Sequence, residues 1–218
     1  MASKPRSPDS PATDDTFVLR RPAVADDKGR FADRIDRYLK TLYATGEDAE
    51  EQHKRAIEEL RRDAGEAVIA LAKVEAGCQR RDYPRRWALV YAATRLNHDA
   101  ALPYLRELVL TPIPSSDVPD AHAFSVAREE TILRTTAIEG VGGLARNGNK
   151  QALEALLGFL EIPSTSVCRA SIQAILSAEP GYRDQIAERI PRGFRHLLDV
   201  RPAQVTTVPQ VKDPKKSI

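Results

Sequence analysis

Residues 164–175 read Ser164-Thr165-Ser166-Val167-Cys168-Arg169-Ala170-Ser171-Ile172-Gln173-Ala174-Ile175, and two other segments repeat their pattern. Arg85-Arg86-Trp87-Ala88-Leu89-Val90-Tyr91-Ala92 and Arg134-Thr135-Thr136-Ala137-Ile138-Glu139-Gly140-Val141 align with Cys168 to Ile175. Ala88, Ala137 and Ser171 then coincide, Leu89, Ile138 and Ile172 follow, and Ala92, Val141 and Ile175 fall one turn later. Each copy runs through a short polar turn into a second helical stretch, where Leu102, Leu153 and Ile186 lie 14, 16 and 15 residues after the anchor. The anchors are 49 and 34 residues apart, and the longer gap holds the proline-rich stretch 111–123.

Paired helices recurring every 30–50 residues or so are the sequence signature of a solenoid. One helix pair cannot cover its own apolar face, so neighbouring pairs must stack and bury a continuous core. A small residue at the anchor lets helices approach closely, and Leu or Ile fills the layer between them. The expected fold is therefore all-α, a short α-solenoid of about three to four helix pairs with disordered termini.

Outward from the anchors the chain reads as helix after helix. Phe31, Ile35, Tyr38, Leu39 and Leu42 make one amphipathic face that ends by Gly46. A longer polar helix is expected from Glu47 to Gly77, carrying Ile57, Leu60, Ala64, Val68 and Leu71 on one stripe, with Gly65 as its candidate break. Pro84 suits the first turn of the next helix, which runs to Leu96 before an Asn97-His98 turn. Further helices are predicted over 101–110, from near Phe124 to Ala145, over 152–160 and over 167–178, the last with Ser164 as N-cap candidate. A closing helix from Tyr182 to about Leu198 should kink at Pro191. No alternating strand is visible.

The segment 164–175, with weaker copies at 132–138 and 84–89, resembles the second helix of a HEAT or HEAT-like (phycobilin-lyase-type) repeat. That pattern is an Asp/Pro/Ser turn, Val-Arg, a small residue, an aliphatic residue, then Ala-Leu. Cys168 stands where the family usually has arginine, and the turn aspartate is missing before Arg134. The resemblance covers roughly residues 49–199. It implies a curved stack whose second helices line a concave face that holds another macromolecule.

Composition bounds the partners. The 218 residues are 42% hydrophobic and 29% charged but only 6% aromatic, with a net charge of +2. Residues 1–30, with four prolines among Ser, Thr and Asp, cannot bury enough apolar surface to offset ordering entropy, and 201–218 are similar with a basic finish. Both are read as disordered tails flanking a helical domain, 31–200, whose own charge is −2. No stretch approaches the roughly 18 apolar residues of a membrane span. No secretory h-region is visible. Cys78 and Cys168 show no disulfide or metal spacing. A cytoplasmic protein is expected.

Sites of chemistry are not apparent. HEAT-like iron enzymes similar to deoxyhypusine hydroxylase carry His-Glu pairs. Here His53, His98, His122 and His196 are followed by Lys54, Asp99, Ala123 and Leu197. Four scattered histidines give no metal spacing. Gly140-Val141-Gly142-Gly143 follows no strand and fits neither phosphate-binding pattern, so it reads as close helix packing. No cofactor, metal or catalytic residue is expected.

One cluster stands out: Arg80-Arg81-Asp82-Tyr83-Pro84-Arg85-Arg86-Trp87, with Arg95 further along. Arginine forks grip phosphates and carboxylates alike. The leading expectation is a non-enzymatic scaffold or adaptor holding a protein partner. Its candidate contacts are Arg80, Arg81, Arg85, Arg86, Tyr91, Arg95, Glu130, Arg134 and Arg169. The alternative is nucleic-acid binding through the Arg80–Arg95 cluster, as in the HEAT-like DNA glycosylases. Against it, a net −2 domain lacks the broad basic footprint that duplex binding needs. An accessory role like that of the phycobilin lyases is a third reading, carried by the fold resemblance alone.

Overall fold

The computed structural model describes residues 28–79, 82–113 and 126–199. Both tails expected from composition lie outside the described residues, apart from Lys28–Arg30, which open the first helix instead of belonging to the tail. The described residues are all-helical: α1 (Lys28–Thr41), α2 (Ala49–Arg61), α3 (Ala64–Ala76), α4 (Tyr83–Leu96), α5 (Ala101–Leu110), α6 (Val126–Arg146), α7 (Lys150–Phe159), α8 (Thr165–Ala178) and α9 (Arg183–Arg189), with 3-10 segments at Pro180–Tyr182 and Arg192–Asp199. None of these helices is long and apolar enough to cross a membrane.

Local chemistry explains most of the boundaries. Pro84 occupies the first turn of α4, where its missing N–H is not needed. Asn97 closes that helix in the left-handed region (φ 50), a conformation asparagine tolerates better than most residues. The Asn149 side chain accepts from the Ala152 N–H at 3.0 Å and opens α7. Ser164 caps α8 in the same way, accepting from the Val167 N–H.

Two boundaries differ from the sequence reading. The expected helix from 47 to 77 is two helices, and the break falls at Arg62-Asp63, not at Gly65. Asp63 is non-helical (φ −126, ψ 48), and its carboxylate accepts from Arg34 Nη1 of α1 at 2.7 Å. This cross-helix ion pair holds the turn against α1. The closing helix is not one kinked rod either. Ile190 is extended before Pro191, as proline demands of the residue it follows, so α9 stops and a 3-10 segment replaces it.

Helix packing forms a ladder. From α1 to α8, each helix touches the next in sequence and also the one two places on: α1–α3, α3–α5 and α5–α7 in one row, α2–α4, α4–α6 and α6–α8 in the other. Within the second row α4, α6 and α8 run parallel. Contacts between α4 and α6 advance together along both, from Arg86–Glu130 to Thr94–Gly140 and Asn97–Gly143. Those between α6 and α8 do the same, from Gly142–Ala174 to Arg146–Ser177. The connecting turns stack as well. Gly65 lies under the His98 ring, and Asn149 donates to the Asp99 carboxylate at 2.7 Å.

The three anchors are all buried in this row: Ala88 is 1% exposed, Ala137 and Ser171 0%. Leu89, Ile138 and Ile172 beside them belong to one core that runs from Phe31 to Leu197. The glycines of α6 permit the closest approaches. A Cβ on Gly140 would sit 2.6 Å from Thr94 Cγ2 and 2.8 Å from Leu105 Cδ1, and one on Gly142 would sit 2.9 Å from the Ala174 methyl. The glycine run of α6 is thus a packing surface.

Candidate functional site

Since α6 is flanked by α4 and α8 and backed by α5 and α7, one side of it is left open. Helical periodicity assigns that side to Arg128, Ile132, Thr135, Glu139, Gly143 and Arg146. The open side of α4 carries Trp87, Tyr91 and Arg95, and that of α8 carries Ser166, Arg169 and Gln173. Because the three helices are parallel and adjacent, these stripes form one continuous face.

The face is mixed in chemistry. The Trp87 and Tyr91 rings stack with centroids 5.1 Å apart and planes 13° from parallel, both half-buried. Ile132 is one of the few large aliphatic side chains open to solvent. Arg95, Arg146 and Arg169 are exposed, and among the described residues no carboxylate lies within ion-pair distance of them. Glu139 is also reached by solvent, yet desolvation pushes its carboxyl above the ordinary carboxylate range. An exposed carboxylate crowded by protein in this way fits a position low between two flanking helices.

The nine sequence-expected contacts divide. Tyr91, Arg95 and Arg169 lie on the face. Arg85 is exposed but turns away from Tyr91 and Arg95, toward a shallow depression of about 650 Å³ that it lines with Lys73, Val74, Cys78 and Asp82. Arg80 and Arg81 lie outside the described residues.

Arg86, Glu130 and Arg134 are corrected: they are interior groups, not partner contacts. Arg86 Nε donates to Glu75 at 2.7 Å, and its Nη1 donates to Glu130. Arg134, 2% exposed, donates to the Glu130 carboxylate at 2.7 Å and to the Thr111 carbonyl beyond the end of α5. Two arginines and two glutamates therefore neutralise one another between α3, α4 and α6. Burial opposes ionisation of Glu130, but the hydrogen bonds and charges of Arg86 and Arg134 outweigh it and hold the carboxyl below its usual range. The physical reason for the correction is distance in sequence: nothing local shows that Glu75 and Glu130 come to meet Arg86.

The basic cluster is weakened accordingly, since Arg86 is engaged by two carboxylates. The nine expected contacts do not include Arg128, Ile132, Thr135, Glu139, Arg146, Ser166 or Gln173 of the face. A signal existed for Ile132. It falls outside the 133, 137, 141, 144 spacing of the buried stripe.

Among the described residues, no group of three or more His, Cys, Asp or Glu is placed to hold a metal ion. Both cysteines are free, and burial raises their thiols above the ordinary range, leaving them poor nucleophiles. No protein-family model, curated protein or solved structure matches the chain.

Proposed function

We propose that the protein is a non-enzymatic interaction scaffold, a short HEAT-like α-solenoid that holds a protein partner on the face of α4, α6 and α8. The observation that carries this reading is the shared open side of three parallel helices, where an aromatic stack, an exposed isoleucine and arginines without carboxylate partners lie together. Aromatic and arginine side chains dominate the energetics of protein interfaces. The ladder of contacts between alternate helices supports the solenoid assignment, because in such a stack each unit packs on its neighbours.

Site-specific photo-crosslinking in the cell of origin tests the function. A crosslinker replacing Ile132 or Gln173 should capture a discrete protein. One replacing Arg106 of α5 or Gln151 of α7, in the opposite row, should not. Capture from the opposite row alone, or from neither, would refute the proposed face.

A further inference from the structure

Positive charge is concentrated in three helices, and most of the balancing negative charge lies in the turns and connecting segments. Helices α4, α6 and α8 together hold seven arginines against three glutamates, a net +4, whereas the rest of residues 31–200 carries −6. Of those ten groups, Arg86, Glu130 and Arg134 are internal. The open stripes keep Arg95, Arg128, Arg146 and Arg169, with Glu139 on the same stripe as Arg128 and Arg146. Neutral and apolar groups lie between the arginines: the Trp87–Tyr91 stack, Ile132, Thr135 and Gln173.

We propose that this face takes an acidic protein segment with aliphatic or aromatic anchors, its carboxylates meeting Arg95, Arg146 and Arg169 around an apolar contact at Ile132. The inference rests on the scaffold reading above and adds the chemistry of the partner. Guanidinium forks suit carboxylates through two parallel hydrogen bonds. The exposed isoleucine offers apolar side chains a contact that a sugar–phosphate backbone would leave unfilled. Glu139, on the central helix, repels phosphates and interrupts the continuous basic track that a nucleic acid needs. A protein segment can place a donor there.

Selection from a random peptide library on the full-length protein tests this directly. Counter-selection uses a triple variant, Arg95→Glu, Arg146→Glu, Arg169→Glu, whose melting temperature is first shown to match the parent. Enriched peptides should be net negative and carry regularly placed aliphatic or aromatic residues. They should bind the triple variant about tenfold more weakly or worse, and Ile132→Ser should weaken them separately. Enrichment of basic or purely polar peptides would overturn the proposal, as would acidic peptides that bind the triple variant equally well. A DNA or RNA oligonucleotide that competes for the same arginines more strongly than the peptides would also overturn it, in favour of a nucleic acid. Crosslinking at Ile132 to a partner whose contact segment is basic would retain the scaffold and reject only the acidic chemistry.

Discussion

Arg86 and Glu130, 44 residues apart, form a buried ion pair that fastens α4 to α6, and Arg134 approaches the same carboxylate from its other oxygen. Removing one member of such a group leaves uncompensated charge in the interior, typically at about 3–5 kcal/mol. Glu130→Gln keeps the shape and removes the charge, so it should lower stability by an amount in or somewhat below that range at neutral pH. The pH response has a definite sign. The folded carboxyl titrates below its unfolded value, so its contribution is full above the unfolded pKa, about 4.3. It fades as pH falls from there through the lower folded value. Urea midpoints between neutral and acid pH should therefore fall less steeply for Glu130→Gln than for the parent. Equal acid slopes would show that Glu130 does not titrate as described.

Glycine-to-alanine changes should have opposite signs at two positions. A Cβ added to Gly158 in α7 would meet nothing within 4 Å, so Gly158→Ala should stabilise by about 0.5–1 kcal/mol through helix propensity alone. A Cβ on Gly140 would meet Thr94 and Leu105 at less than 3 Å, so Gly140→Ala should overpack the α4–α5–α6 junction and cost about 1–3 kcal/mol. Thermal or urea unfolding of the two variants side by side measures the contrast. A stabilising Gly140→Ala would mean that α4 and α6 are free to separate.

The contrast between Ser164 and Asp63 shows what was legible in the sequence and what was not. Ser164 announces α8 because capping acts over three residues, and the anchors announce their helices because a 3.6-residue period is local. The turn at Asp63 is marked only approximately, by Gly65 two residues on, because the aspartate that sets it is held by Arg34, 29 residues away. Glu130 and Arg134 are visible as an i, i+4 pair, but their burial depends on Arg86 arriving from another helix. The arginines that do reach the open face, Arg95, Arg146 and Arg169 among them, are distinguishable from Arg86 and Arg134 only once helix packing is known.

Leu89→Ala and Ile138→Ala test the shared seam. Both side chains are 0% exposed on parallel, adjacent helices. Each truncation should cost about 2–5 kcal/mol, with the spread set by how far the surroundings collapse into the space left. Ile132→Ala, on the same helix as Ile138 but open to water, should change stability by about 0.5 kcal/mol or less. Chemical denaturation resolves the two classes. Similar losses at 132 and 138 would place the open side of α6 in a core and remove the proposed face.

Tyr104 of α5 offers a test in the opposite direction. Its hydroxyl is buried and finds no hydrogen-bond partner among the described residues. Burial is the main reason its pKa is raised far above the ordinary tyrosine value, the nearby Glu75 charge adds to the shift, and Arg86 opposes it. A buried hydroxyl without a partner carries a desolvation penalty of about 1–3 kcal/mol. Tyr104→Phe removes the hydroxyl and keeps the ring, so stability should be unchanged or higher, by up to about 1 kcal/mol. A clear loss of stability in Tyr104→Phe would show that the hydroxyl is bonded to the ion network, making it a member of the α3–α4–α6 junction instead of its apolar wall.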